Sequence, residues 1–170
     1  VQVALVELDG RRTVVNTLNG YICPPTGVEM KPGAEAVHKI SMSFLRQSGE
    51  TDVPAFLHRV IDFIENAQAS GKVVVAHNST FDVESLNRTL EAHGVERRLD
   101  LTRVFCTMRG SKRLCNLKDR RGRLKAPRNE ELFRFLHGGA PPNVGDLHDA
   151  CTDATITGLS YLAGRKRGWW

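Results

Sequence analysis

The sequence predicts an α/β fold in which a mixed β-sheet is flanked by helices on both faces. Three observations carry that expectation. Gly71-Lys72-Val73-Val74-Val75-Ala76 is an apolar, β-branched run that gives way to polar residues, the pattern of a strand buried on both faces. Phe56, Val60, Phe63 and Ile64 recur at helical spacing between Pro54 and Ala69, which predicts an amphipathic helix before that strand. Two extended segments, Val1 to Leu8 and Arg12 to Cys23, flank Asp9-Gly10, a hairpin turn signal.

The elements follow in order. After the hairpin, Pro24-Pro25 and Pro32-Gly33 mark loops. The helix over Pro54 to Ala69 leads to the strand ending at Ala76. Val83, Leu86 and Leu90 then repeat at helical spacing until Gly94 offers a stop. Leu101 to Met108 reads as a short edge strand broken by Gly110. Glu130 to Leu136 reads as a short amphipathic helix, and a last helix runs from about Asp149 to Ala163. Two antiparallel strands followed by strand, helix, strand and helix fit a mixed sheet covered on both sides.

Composition sets outer bounds. The 170 residues, 41% hydrophobic and 25% charged, suit a single globular domain. No apolar stretch approaches a membrane span, so no membrane partner is expected. Cys23, Cys106, Cys115 and Cys151 show no Cys-x-x-Cys pairing or zinc-ligand spacing; they read as free thiols in an intracellular, reducing compartment. The net charge of +5 is unevenly spread, with nine Lys or Arg between Arg109 and Arg128 against one acid, Asp119. With Gly110 and Gly122 inside it and no apolar period, that segment reads as a loop. Such a loop either draws phosphates by counterion release or is a solvated surface. Arg165-Lys166-Arg167 reads as a soluble helix tail, and Trp169-Trp170 as a loose end or the start of a truncated element.

Two short runs hold residue types that do chemistry. In Leu147-His148-Asp149-Ala150-Cys151-Thr152-Asp153-Ala154, His148 and Asp153 lie five residues apart. On one continuous helix they would diverge by roughly 140°. They converge if the helix begins between them, with Asp146 or Asp149 satisfying open amides at its start. An imidazole beside a carboxylate suits proton transfer or metal-assisted hydrolysis. The same residues also fit a bland arrangement, with Asp149 as a helix-start charge, His148 on a loop and Asp153 as solvated surface. Asp82 stands where a strand has ended and a helix begins, the sheet edge at which α/β proteins collect ligands; alternatively it serves the helix dipole alone.

Together the two runs resemble the DEDD-type 3′ to 5′ exonucleases of the proofreading class, in the ribonuclease-H-like superfamily. Ala76-His77-Asn78-x-x-Phe81-Asp82 is similar to that family's second motif, and His148-x-Ala150-x-x-Asp153 to the third motif of its histidine-bearing branch. The resemblance covers most of the chain. Val1 to Gly10 looks like the family's second strand and turn, Ala36 to Ser41 like the segment after its third strand, and Leu124 to Leu136 like the stretch before its third motif. Each motif is short, but their order and spacing in one chain are specific.

The resemblance implies a metal-dependent 3′ to 5′ exonuclease domain spanning residues 1–170 with a ribonuclease-H-like sheet. Asp82 and Asp153 would hold Mg²⁺ or Mn²⁺ in a two-metal site, and His148 would be the general base. Asn78 and Phe81 would contact the 3′ nucleotide; Phe81 fits the hydrophobic core equally well. Implied partners are a nucleic acid with a free 3′ end and a polymerase or another replication, repair or RNA-processing protein. The family's first motif, an Asp-x-Glu pair on the first central strand, has no counterpart here. Glu7 and Asp9 stand in reversed order, and Asp9-Gly10 is better read as the hairpin turn. The expectation is therefore an N-terminally truncated domain with an incomplete metal site, a gap in its sheet and weak or no activity of its own. The alternative is a catalytically inactive nucleic-acid-binding or scaffold domain of the same fold.

Overall fold

The computed structural model describes residues 1–28, 33, 35, 36, 39–141 and 149–170. Strand β1 (Gln2–Leu8) pairs antiparallel with β2 (Val14–Tyr21), as the hairpin signal predicts. The turn is shaped by Asp9, whose carboxylate accepts from the amides of Arg11 and Thr13 at 2.9 and 2.8 Å, while Arg12 takes a left-handed φ of 71°. Helix α1 (Met42–Ser48) was not expected; its seven residues bury only Leu45, and the Ser41 hydroxyl caps it by accepting from the Phe44 amide. Helix α2 (Val53–Ala69) matches the expected span and starts on the Asp52 cap with Pro54 in its first turn.

Strand β3 (Val74–Ala76) leads into α3 (Ser79–Ala92), and a 3₁₀ turn (Leu101–Arg103) precedes β4 (Val104–Cys106). β3 and β4 pair in parallel, Val75 opposite Phe105. Helices α4 (Thr107–Cys115), α5 (Asn129–His137) and α6 (Ala150–Lys166) complete the chain. None of the described helices is long and apolar enough to cross a membrane.

The fold class is mixed α/β with small sheets. Among the described residues the strands form two separate two-stranded pairs rather than one sheet. Their relative placement follows from the faces of β1. Val3 and Leu5 pack with the core of α2, built on Phe56, Leu57, Val60, Ile61 and Ile64, whereas Gln2 and Leu8 meet α6. The alternation puts α2 and α6 on opposite faces. Both helices also touch β3, so the two strand pairs share one middle layer with a helix on either side.

Close approach of β1 to α6 depends on Gly158, where an added Cβ would overlap the Leu8 side chain. Each fully buried aliphatic or aromatic side chain of the α2 core contributes about 1.5–3 kcal/mol. Arg97 ties the loop after α3 to this helix through Asp62 and Glu65 at 2.6 and 2.7 Å.

Three expectations need correction. Val73 lies outside the strand and is 56% exposed, and Val74 to Ala76 are half-buried; among the described residues β3 has a ladder partner on one edge only. The basic segment is not all loop, because Thr107 to Cys115 is helical. Its buried face is Thr107, Ser111 and Cys115 at four-residue spacing, a helical period carried by small residues instead of large apolar ones. The C-terminal tail is neither loose nor merely solvated. Trp170 packs on Gly164 and its indole N–H donates to the Tyr161 carbonyl at 3.1 Å, while Arg167 donates to the Leu136 carbonyl at 2.6 Å.

Candidate active site

A cavity of about 440 Å³ opens between the two strand pairs. β1 lines one wall, β3 with the first turns of α3 another, and the N-terminal half of α6 a third; Asp82 and Asp153 both reach it. The two carboxylates come from the first turns of two helices far apart in the chain.

Asp82 is the fourth residue of α3. The chain leaves β3 through His77 and turns at Asn78, whose left-handed conformation (φ 67°, ψ 50°) starts the helix without a side-chain cap bond. Asn and Asp tolerate that region better than other non-glycine residues. The helix thus begins three residues before Asp82 and carries it in its first turn, on the cavity side of β3. Phe81, beside it, is 63% exposed and lines the same cavity, so it stands at the rim and not in the core.

His77 is not held by its immediate neighbours. Its ring nitrogens reach the Thr107 hydroxyl at 3.0 Å and the Pro127 carbonyl at 3.1 Å. Nε2 must donate to the carbonyl, which leaves Nδ1 to share the hydroxyl. Burial holds its pKa below the ordinary value, so a neutral ring braces the start of α3 against α4 and the approach to α5. Arg109 adds a second brace by donating to Ser79 Oγ at 3.2 Å.

Asp153 is the fourth residue of α6, whose cap is Asp149 accepting from the Thr152 amide at 2.9 Å. Two residues that sequence reasoning passed over fix this helix end. Gln2 donates to the Asp149 carboxylate at 2.8 Å and accepts from the Ala150 amide at 3.1 Å. Asn129 donates to the Asp153 carbonyl at 3.0 Å and accepts from Thr157 at 3.2 Å. Neither partner is within twenty residues, so no local pattern announces them. The helix starts after Asp149, between His148 and Asp153 as the sequence reading requires for the two to converge; His148 itself lies outside the described residues.

The electrostatics distinguish Asp82. Its pKa is pushed from 3.8 up to about 6, first by burial of the carboxyl against the cavity wall and second by the charge of Asp153. The residue as a whole still has open surface, so the carboxyl is screened by protein on one side and by solvent on the other. A buried carboxyl whose proton affinity is raised by a neighbouring carboxylate marks a site that gains from positive charge. Their oxygen donors suit a hard dication. They are two donors only: among the described residues no group of three or more acids, histidines or cysteines is placed to hold a metal. The alternative ligands Glu7 and Asp9 are engaged elsewhere, Glu7 with Lys72 at 2.8 Å and Asp9 in its turn.

The basic segment is partly self-neutralised. Arg123 pairs with Asp119 at 2.9 Å and Lys125 with Glu131 at 2.5 Å. Lys112, Arg113, Lys118, Arg120 and Arg121 are exposed and make no ion pair among the described residues.

No protein-family model matches the chain, and no curated protein matches it either.

Proposed function

We propose that this chain is a ribonuclease-H-like, metal-dependent 3′ to 5′ exonuclease domain of the DEDD type. The observation that carries the reading is the meeting of Asp82 and Asp153, from the first turns of two helices, at one cavity beside the end of a parallel strand pair. Asp82 and Asp153 would share a Mg²⁺ or Mn²⁺ ion; such an ion supplies Lewis-acid stabilisation of phosphate charge and a more acidic bound water. The exposed Phe81 ring offers a stacking face for a base at the strand end, and Asn78, in the adjoining turn, offers an amide to the same nucleotide. Exposed cations of the 112–121 region draw the phosphate backbone without reading its sequence. His148, one residue before the α6 cap, takes the proton of the attacking water in this reading, as the family resemblance implies.

The two-carboxylate donor set also favours a second reading, a binding or scaffold domain without catalysis. Mn²⁺ binding followed by water-proton relaxation, with nuclease activity assayed on a 3′-labelled single strand, separates the two. The exonuclease reading expects weak Mn²⁺ binding that both Asp82→Asn and Asp153→Asn abolish, and any 3′ trimming to fall at least tenfold in either variant and in His148→Ala. Oligonucleotide binding with Mn²⁺ affinity unchanged in both aspartate variants would overturn it in favour of the binding domain.

A further inference from the structure

A second groove, of about 480 Å³, lies along β4. Val104 alone lines both it and the cavity of Asp82 and Asp153. All three residues of β4 line the groove. Successive side chains of a strand point to opposite faces, so three in a row meet one groove where it follows the edge of the strand. That edge is open, because among the described residues β4 is laddered to β3 only. An open edge is a template for another extended backbone.

The groove is apolar in its middle and cationic at both ends. Val73, on its wall, is 56% exposed, and Phe105 is half-buried. Gly110 keeps the floor low, since a Cβ there would stand 3.2 Å from the Phe105 ring. Arg103 immediately precedes β4 and Arg109 follows it in the first turn of α4. Both are exposed, and neither forms an ion pair among the described residues. Arg109 gives one N–H to Ser79 Oγ and keeps the other donors of its guanidinium. Asp100 feels the charge of Arg103, but its Oδ1 already accepts from the Thr102 amide and hydroxyl, both at 2.8 Å. No acidic residue lines the groove.

β4 advances about 10 Å over its three residues, which sets the arginines at its ends on the order of 10–15 Å apart. In an extended chain, side chains at i and i+4 share a face and stand about 13 Å apart. We infer that this groove docks an extended acidic segment of a partner protein, with two carboxylates four residues apart on Arg103 and Arg109 and an apolar side chain between them against Val73 and Phe105. A phosphodiester backbone carries a charge at every step and would set its middle charges on the apolar stretch. The closely spaced exposed cations that suit such a backbone lie at 112–121 instead. The docking site stands independently of the nuclease reading.

The test uses the full chain and fluorescein-labelled peptides read by anisotropy at physiological ionic strength. The parent peptide is Ser-Glu-Thr-Val-Thr-Glu-Ser. Its affinity should fall roughly tenfold when both glutamates become glutamine, and roughly fivefold when the same residues are reordered to place the glutamates side by side. Arg103→Glu and Val73→Asp, both at exposed positions, should each weaken the parent peptide roughly tenfold while Tm stays within about 2 °C of wild type. Arg109→Gln should weaken it roughly fivefold; if that variant does not fold, the two exposed-site variants decide. Bound peptide should slow hydrogen exchange in residues 102–106 and leave β1 unchanged. No binding of the parent peptide, equal binding of the glutamine or reordered peptide, or unaltered affinity in Arg103→Glu overturns the proposal. So does displacement of the peptide by a single-stranded oligonucleotide whose own affinity drops in Arg103→Glu and Val73→Asp, which assigns the groove to nucleic acid. Mn²⁺ binding at Asp82 and Asp153 is untouched by all of these results and judges the nuclease reading separately.

Discussion

Replacing Asp82 with asparagine should make the protein more stable at neutral pH and remove part of its pH dependence. The folded state binds the Asp82 proton more tightly than the unfolded chain does, because its pKa rises from 3.8 to about 6. Folded protein is thus favoured while this carboxyl is protonated. That advantage is lost as pH climbs from 3.8 through 6 and is absent above. At face value the displacement corresponds to about 3 kcal/mol; the open surface of Asp82 and solvent screening reduce it to about 1 kcal/mol. Asp82→Asn should therefore raise Tm at pH 7 by about 2–4 °C, with the gain over wild type shrinking towards zero at pH 4. Asp153→Asn should recover a smaller part, since repulsion is the second cause and burial the first. Thermal melts of the three proteins at pH 4, 5, 6 and 7 measure this. A Tm difference that is the same at pH 4 and pH 7, or a variant less stable than wild type at pH 7, would refute the reasoning.

Two further substitutions probe neighbouring features. Gly158→Ala places a methyl against Leu8 and should cost about 1–3 kcal/mol, read as a Tm loss of several degrees; an unchanged Tm would mean that β1 and α6 are not in tight contact. Phe81→Ala removes a ring that is 63% exposed, so stability should move by less than about 0.5 kcal/mol, while single-strand affinity, measured by anisotropy, should fall at least fivefold from lost stacking. A large stability loss with affinity intact would return Phe81 to the core.

What the sequence discloses here tracks how local each determinant is. The hairpin, α2 and the start of α3 are legible because Asp9, Pro54 and the spaced apolar residues act within a turn or two of themselves. Helix α4 is hidden because its buried face is Thr107, Ser111 and Cys115, small residues that no apolar period marks. The short α1 is missed for a related reason, with one buried residue in seven. In the site, the position of Asp82 follows from strand-to-helix punctuation and that of Asp153 from the helix start at Asp149. Gln2 and Asn129, which hold Asp153 in place, act across 147 and 24 residues, and only the folded chain brings them together. The same holds for His77, whose partners stand 30 and 50 residues away.

Both tryptophans of the chain sit at the far end of α6 from Asp153. Trp170 lies among Phe105 and Tyr161, with ring centres 5.4 and 6.2 Å away, and Trp169 lies beside Phe135 at 5.7 Å. This concentrates the tryptophan emission of the molecule in the seam between α6, α5 and β4, about 15 Å along the helix from Asp153. Emission wavelength becomes a private gauge of that seam, blind to the β1–β2 hairpin, whereas far-ultraviolet ellipticity averages over every element. A fluorescence melt that lags the ellipticity melt would therefore show, without any label being introduced, that structure outside this seam unfolds before the seam does.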